Sequence, residues 1–405
     1  MTLAEFEKEV AFFDQFGTLS QKKTLRLEAG QAIQVYTNEF WTSGQRKASS
    51  LHEIPYRSCF KPQLPSFFLE ALTRPGDTVY DPFLGRGTTL LEAAILGRRV
   101  VGSDVNPLSQ ILIEARLNPP PLETVRDFQF PGLVCESYPL PDDLLLFYNE
   151  QTLRELLGLR QSLMDKEKTG DLTPIDRWIR MLVTSRLSGH SKGFLSRYTL
   201  PPNQAASPKA QARINSKREE TAEYKNLSEI VLSKSRRLLN RVTEAELQSL
   251  RLASETAKVF TGSAQEDRLP ASSVDLIVTS PPFLGMIDYA GDNWLRCWFN
   301  GIDSTQVKIW SYRNPEQWSD AMHSAFRQFA RVLKPGGSVA FEVGEVKNNS
   351  VLLENFVLKA ARGSGLRVRF ILINQQNFTK TSNCWGISND RSGTNSNRVV
   401  LLEQE

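Results

Sequence analysis

Thr78-Val79-Tyr80-Asp81-Pro82-Phe83-Leu84-Gly85-Arg86-Gly87-Thr88-Thr89 opens the stretch that decides the fold, and Arg99-Val100-Val101-Gly102-Ser103-Asp104 closes it. Thr78–Tyr80 reads as a short strand. Gly85 and Gly87 predict a tight turn in which backbone amides come close to a ligand. From Thr88 onward, Leu90, Leu91, Ala93, Ala94 and Ile95 read as a helix that stops at Gly97. A second strand then ends on Asp104, 17 residues beyond Gly87. Strand, glycine turn, helix, strand and acid within about 30 residues make the nucleotide-type βαβ unit, whose terminal carboxylate receives ribose hydroxyls. The glycine pattern is GxG rather than GxGxxG, and no P-loop lysine follows. That favours an adenosine without a pyrophosphate over a dinucleotide. A purely structural βα turn is the bland alternative.

Working outward, Val274-Asp275-Leu276-Ile277-Val278-Thr279 reads as a buried strand that Ser280-Pro281-Pro282-Phe283 ends abruptly, because proline has no backbone donor for a sheet ladder. Ser280 and Phe283 are thereby expected just past the carboxyl end of a strand, where open α/β sheets bind ligands. A small polar residue, two stiff prolines and an aromatic suit the gripping of a planar base that carries an amino group. The lone pair of such an amine is delocalised into the ring. Ser280 Oγ and the Pro281 carbonyl accept hydrogen bonds from it, and Phe283 stacks on the base. Positioning of this kind supplies up to about 7–11 kcal/mol of barrier reduction. No covalent enzyme intermediate is required. A base in a duplex must be flipped out to reach the pocket, or come from a single strand.

The other segments frame these two. At 405 residues and 40% apolar composition, the chain is long enough for one large domain with insertions or for two domains. Its apolar runs are too short to span a membrane, and Met1–Lys8 is not the start of a secretory signal. Cys59, Cys135, Cys297 and Cys384, like His52, His190 and His323, are scattered, so neither a metal site nor a disulfide framework is expected and a reducing cytosol is the default. An amphipathic helix is expected over Phe6–Phe16, and another helix from Ser66 to Thr73 after a proline-punctuated stretch. Prolines between 118 and 141 mark a boundary. Helices are then expected over Asp142–Met164, Pro174–Leu187 and, as one long polar element, Lys217–Leu252. Between Arg186 and Arg241 stand twelve Lys/Arg against four Asp/Glu, whereas the whole chain is only +4. With Phe194, Tyr198 and Tyr224 interleaved, this suggests phosphate contact; a solvated helix face is the alternative. The α/β pattern resumes at Ala257–Gly262. It continues through a helix over Trp318–Leu333 ended by Lys334-Pro335-Gly336-Gly337, a strand over Ser338–Gly344 and a closing strand pair, Val368–Ile373 and Arg398–Leu402. The polar loop Thr379–Asn397 between that pair is expected to be mobile.

Asp81-Pro82-Phe83-Leu84-Gly85-Arg86-Gly87-Thr88-Thr89, Thr279-Ser280-Pro281-Pro282-Phe283 and Leu333-Lys334-Pro335-Gly336-Gly337, in this order, resemble the S-adenosylmethionine-dependent amino-methyltransferases of DNA. The resemblance covers residues 51–117 and 257–344, and Gly393–Val400 more loosely. It implies the α/β, Rossmann-like class I methyltransferase fold with a seven-stranded sheet. The domain plan it implies is an N-terminal extension over 1–50, a catalytic domain over 51–117 and 257–405, and a mostly helical basic insertion over 118–256. It implies S-adenosyl-L-methionine as cofactor. Asp81, Phe83, Gly85 and Gly87 would cradle its methionine and sugar, and Asp104 its ribose hydroxyls. Asn106 and Pro107 would stand beside the adenine, with Ser263 and Ala264 near the ring; the family often carries an acid at the place of Ser263. The segment from Tyr56 to Pro62 would close over the methionine end. Ser280, Pro281, Pro282 and Phe283 would be catalytic.

Ser-Pro-Pro-aromatic is associated in that family more often with cytosine N4, and Asp- or Asn-Pro-Pro-aromatic with adenine N6. The resulting expectation is a cytosine-N4 DNA methyltransferase of the restriction-modification kind, working by base flipping and direct transfer on double- or single-stranded DNA, in a prokaryotic or phage-like cytoplasm. The insertion is a candidate target-recognition region, with Lys192, Arg197, Arg213, Lys217 and Arg218 on the DNA. Adenine N6, an RNA amine, and a non-catalytic nucleic-acid-binding protein are the alternatives.

Overall fold

The computed structural model describes residues 1–26, 32–42, 48–57, 59–132, 138–219, 221–282, 284, 288–343, 352–375 and 396–405. Among them are nine strands: β1 (Gln21–Arg26), β2 (Ala32–Asn38), β3 (Thr78–Asp81), β4 (Arg99–Asp104), β5 (Lys258–Thr261), β6 (Val274–Thr279), β7 (Leu333–Val343), β8 (Leu366–Gln375) and β9 (Ser396–Gln404). They form one sheet in the order β1-β2-β8-β9-β7-β6-β3-β4-β5. β3 to β7 are parallel, and β9 runs antiparallel between β7 and β8. Val79, Val100, Leu276, Ile277 and Val278 have no exposure at all. That follows from a parallel sheet covered by helices on both faces, whose strands are near-continuous apolar runs.

β3 to β9 alone make the seven-stranded class I arrangement, so the chain has this Rossmann-like α/β fold. The N-terminal residues extend it to nine strands. The helix expected over Phe6–Phe16 is Leu3–Ala11, closed by a capping box between Thr2 and Glu5. β2 then adds parallel to β8, and β1 antiparallel to β2. β1 (Gln-Lys-Lys-Thr-Leu-Arg) is almost wholly exposed, so no apolar alternation marked it.

Two expected helices are broken. Asp142–Met164 is Asp142–Leu145 and Glu150–Thr169, because Asn149 caps the second by accepting from the Gln151 N–H. Lys217–Leu252 is interrupted twice. Pro208–Arg218 ends at Glu219, in the left-handed region at φ +52°. Leu227–Leu239 starts on the Asn226 cap, and Glu244–Thr256 on a capping box between Thr243 and Glu246. Leu153, Leu156, Trp178 and Leu182 of the insertion share one core with Leu112 and Ile113 of the helix after β4. Lys334–Gly337 lies within β7, since the preceding helix, Pro315–Val332, stops earlier. Most of the Thr379–Asn397 loop, with Cys135 and Cys384, falls outside the described residues. No helix among the described residues is long and apolar enough to cross a membrane.

β3 pairs with β4 on one side and β6 on the other. Connections diverge at this point, and ligand crevices in open α/β sheets open there, outside the carboxyl ends of the strands. Asp81, Asp104, Thr279 and Val343 end four neighbouring strands at that edge.

Candidate active site

A pocket of about 770 Å³, counting its open mouth, lies at this edge, a size typical of small-molecule sites. Its wall includes Tyr56, Asp81, Phe83, Gly85, Asp104, Ser263, Ala264, Ser280 and Pro282. Residues separated by up to 254 positions, Tyr56 to Trp310, are thus brought to one crevice.

Asp81 ends β3 with its carboxylate 2% exposed. Thr279 Oγ1 donates to its Oδ1 at 2.6 Å, and the Phe83 N–H donates to the same atom at 3.2 Å. Burial outweighs these bonds and pushes its carboxyl up to about 7. Asp104 accepts from the Gly85 N–H on Oδ2 and from the Asn106 N–H on Oδ1, both at 2.8 Å; burial raises its pKa as well. The glycine turn is therefore tied directly to the acid 19 residues on. The two glycines divide the work. Gly85 (φ +51°) faces the pocket. Gly87 (φ +78°) does not line it, and a Cβ there would sit 2.9 Å from the Ile113 side chain, so its smallness serves helix packing. Asn106 is likewise drawn away from the pocket. It is 2% exposed, and its Oδ1 accepts from the Leu108 N–H to cap the Leu108–Leu117 helix, while Val105 lines the wall in its stead. The Ser263 N–H donates to Glu266 Oε1 at 3.0 Å.

Arg86, inside the glycine turn, is buried and fastens the segment that carries Tyr56. Its guanidinium donates to the carbonyls of His52 (3.3 Å), Ile54 (3.1 Å) and Phe60 (3.4 Å). Arg116 in turn donates to the Arg86 carbonyl.

At the other end, Ser280 Oγ donates to Glu342 Oε2 at 2.5 Å, and Asn397 Nδ2 donates to Glu342 Oε1 at 3.1 Å. Glu342 is 4% exposed, and burial raises its carboxyl pKa. The hydroxyl oxygen keeps its lone pairs for an incoming donor. Pro282 lines the pocket and its carbonyl accepts from Trp318 Nε1 at 3.0 Å, whereas Pro281 is buried and is not part of the wall. Phe283 lies outside the described residues.

Sequence reasoning missed Glu342, although an acid near the end of the apolar run Val339–Val343 is the kind of strand-end acid that flagged Asp104. It also missed Tyr289, Ile309 and Trp310 of the wall. Trp310 comes from an irregular segment and meets Phe83 edge-on at 5.3 Å between centroids; no local pattern marks it.

The basic insertion divides into two groups. Arg186 is buried with its guanidinium 4.3 Å from the Phe194 ring centroid. Lys234 is buried against the Glu53 carbonyl and pushed down to about 7, mainly by burial. Arg237 and Arg241 pair with Glu53. Arg186 and Lys234 are thus engaged in the interior, and Arg237 and Arg241 with Glu53 nearer the surface. Lys192, Arg213, Lys217 and Arg218 are exposed and Arg197 is half-buried. Lys209, Arg213 and Lys217 recur every four residues on one helix face, and Arg218 stacks 3.8 Å from the Tyr198 ring centroid.

The DNA methylase family model for N6/N4 methyltransferases matches residues 15–111 and 274–403. The chain belongs to this DNA methylase family. Its relatives include Type II methyltransferase M.MjaII of Methanocaldococcus jannaschii, 36% identical over 76 residues, or 18% of this chain and 14% of that one. Type II methyltransferase M.BsoBI of Geobacillus stearothermophilus is 24% identical over 364 residues, 76% of this chain and 68% of that one. The chain thus spans about a seventh of the first relative's length. Among solved structures, the rRNA methyltransferase aviRa of Streptomyces viridochromogenes is 13% identical with a TM-score of 0.32, over 87% of this chain and 88% of that one. The cofactor of the family is S-adenosyl-L-methionine. The residues present fit it: Asp104 offers a half-buried carboxylate to hydroxyls, Asp81 a carboxylate to a cationic group, and Gly85 an approach without a side chain.

Proposed function

We propose that this protein transfers a methyl group from S-adenosyl-L-methionine to the exocyclic N4 amine of cytosine in DNA. The Ser280–Glu342 pair at the pocket carries this reading. When bound, the cofactor supplies an electrophilic sulfonium methyl. Asp104 holds the ribose hydroxyls and Asp81 the ammonium group, which together orient the donor. Ser280 Oγ accepts from the amine and localises its lone pair. The proton that nitrogen sheds passes to Ser280 Oγ as the Ser280 hydrogen moves to Glu342, a carboxylate whose raised pKa suits it to take one. The role of Phe283, stacking on the base, rests on its place in the motif. The base reaches these groups outside the helical stack, with the Lys209–Arg213–Lys217 face and Arg218 on backbone phosphates. The choice of cytosine over adenine rests on serine at the first position of the motif. The same reading implies a prokaryotic or phage-like cytoplasm.

The test is incubation with labelled cofactor and DNA or RNA, digestion to nucleosides, and identification of the labelled product. Labelled N4-methylcytosine from DNA is expected. N6-methyladenine alone overturns the choice of base, label confined to RNA overturns DNA as substrate, and no binding of S-adenosylhomocysteine in calorimetry overturns the enzyme.

A further inference from the structure

The Tyr289–Phe299 helix begins nine residues after Ser280 and joins two parts of the chain that are far apart in sequence. On one side is the segment 55–57, whose Tyr56 and Arg57 wall the pocket. On the other is the loop 202–206 of the insertion, none of whose residues lines that pocket. Arg57 donates to Asp292 Oδ2 at 2.7 Å and to Gln204 Oε1 at 3.2 Å. The Asp292 carbonyl accepts from the Ala205 N–H at 3.1 Å. One turn further along, Arg296, 6% exposed, donates from a single nitrogen to the Pro55 carbonyl at 3.2 Å and the Pro202 carbonyl at 2.7 Å. Its guanidinium lies 5.7 Å from the centre of the Tyr56 ring. Trp294 Nε1 completes the attachment by donating to the Ala206 carbonyl at 2.9 Å.

Arg296 therefore bonds both loops at once, and Arg57, itself in the first, ties it to the helix and to the second. A shift of the insertion loop breaks bonds that also hold the pocket wall, and a guanidinium as buried as that of Arg296 has no water to replace a lost acceptor. We infer that the insertion is part of the support of the cofactor pocket, with Gln204 acting through Arg57 as a positioning residue: it sets how tightly the cofactor is held without touching it. This rests on the reading of that pocket as the S-adenosyl-L-methionine site.

The experiment is a double-mutant cycle on S-adenosylhomocysteine affinity, by calorimetry, with Arg57→Gln, Gln204→Ala and the double variant. Circular dichroism and thermal unfolding select variants that keep the parent fold. Gln204→Ala is expected to weaken binding about threefold to tenfold in the parent and to have almost no further effect in Arg57→Gln, because contacting residues are non-additive. Where Arg57→Gln does not fold, Arg57→Met, which keeps the stem and removes the donor to Gln204, takes its place in the cycle. A parent that does not bind overturns the reading of the pocket and this inference with it. A parent that binds, with Gln204→Ala unchanged or with strictly additive losses, overturns the inference alone.

Discussion

Ser280 gives its hydroxyl hydrogen to Glu342, 62 residues away, and Asn397 holds the other oxygen of that carboxylate from β9. The antiparallel register of β7 and β9, which sets Glu342 opposite Val399, makes this triple contact possible. Glu342→Gln keeps the shape and removes the proton acceptor. It should lower kcat about 10²-fold or more, with S-adenosylhomocysteine affinity within about twofold of the parent. Ser280→Ala should cost a similar factor, and the double variant little beyond either one, because groups acting as a unit are non-additive. Single-turnover kinetics measures this; additive losses would separate the two residues.

Asp81 makes cofactor binding depend on pH. Burial holds its carboxyl near 7 in the free protein, so below that it carries a proton, and a cationic ammonium group prefers the ionised form. Affinity for S-adenosylhomocysteine should therefore rise as pH climbs toward 7, by at most about tenfold per unit, and level off above it. Calorimetry between pH 5.5 and 8.5 checks this, and Asp81→Asn should flatten the curve. The sign for stability is opposite. The folded pKa lies above the ordinary carboxylate value, so the ionised group is a cost to the free fold above pH 7, relieved as pH falls through 7.

Gly87→Ala combines a left-handed backbone with a Cβ 2.9 Å from Ile113. It should cost about 2–4 kcal/mol of stability. Gly85→Ala meets only ordinary contacts, Cys59 Sγ at 3.8 Å and Tyr56 Cε1 at 3.9 Å, and should cost about 1–2 kcal/mol while weakening cofactor binding. Urea denaturation and calorimetry on both variants separate the packing glycine from the pocket glycine.

Replacing Lys209, Arg213 and Lys217 together by Gln should weaken binding to duplex DNA and lower the slope of log K against log salt by about two to three. Arg237→Gln with Arg241→Gln, which removes cations paired with Glu53, should leave the slope unchanged. A parental slope in the triple variant would take this helix off the phosphate backbone.

Much of the frame was legible because it is written in short-range pattern. An apolar run cut by Asp81-Pro82 or Ser280-Pro281 ends a strand wherever the chain goes next, and the two glycines announce a turn. The breaks at Asn226 and at Thr243-Glu246 were legible as caps too, yet a general polar periodicity across 217–252 masked them. β1 was not legible, since an exposed edge strand of polar residues carries no burial signal.

By itself, then, the sequence determined the βαβ unit, the order of the motifs and the residue types that reach the carboxyl edge, because strand ends, turns and helix faces follow from local sterics and hydrophobic period. Only the tertiary structure decided which of those residues share a pocket. It set Asp81 against Thr279, Ser280 against Glu342 and Arg57 against Gln204, turned Gly87 and Asn106 to packing and capping, and divided the cations of the insertion between Glu53 and solvent. The physical reason is that each of these outcomes depends on a partner or a desolvated environment supplied by a distant segment, and no local pattern encodes that.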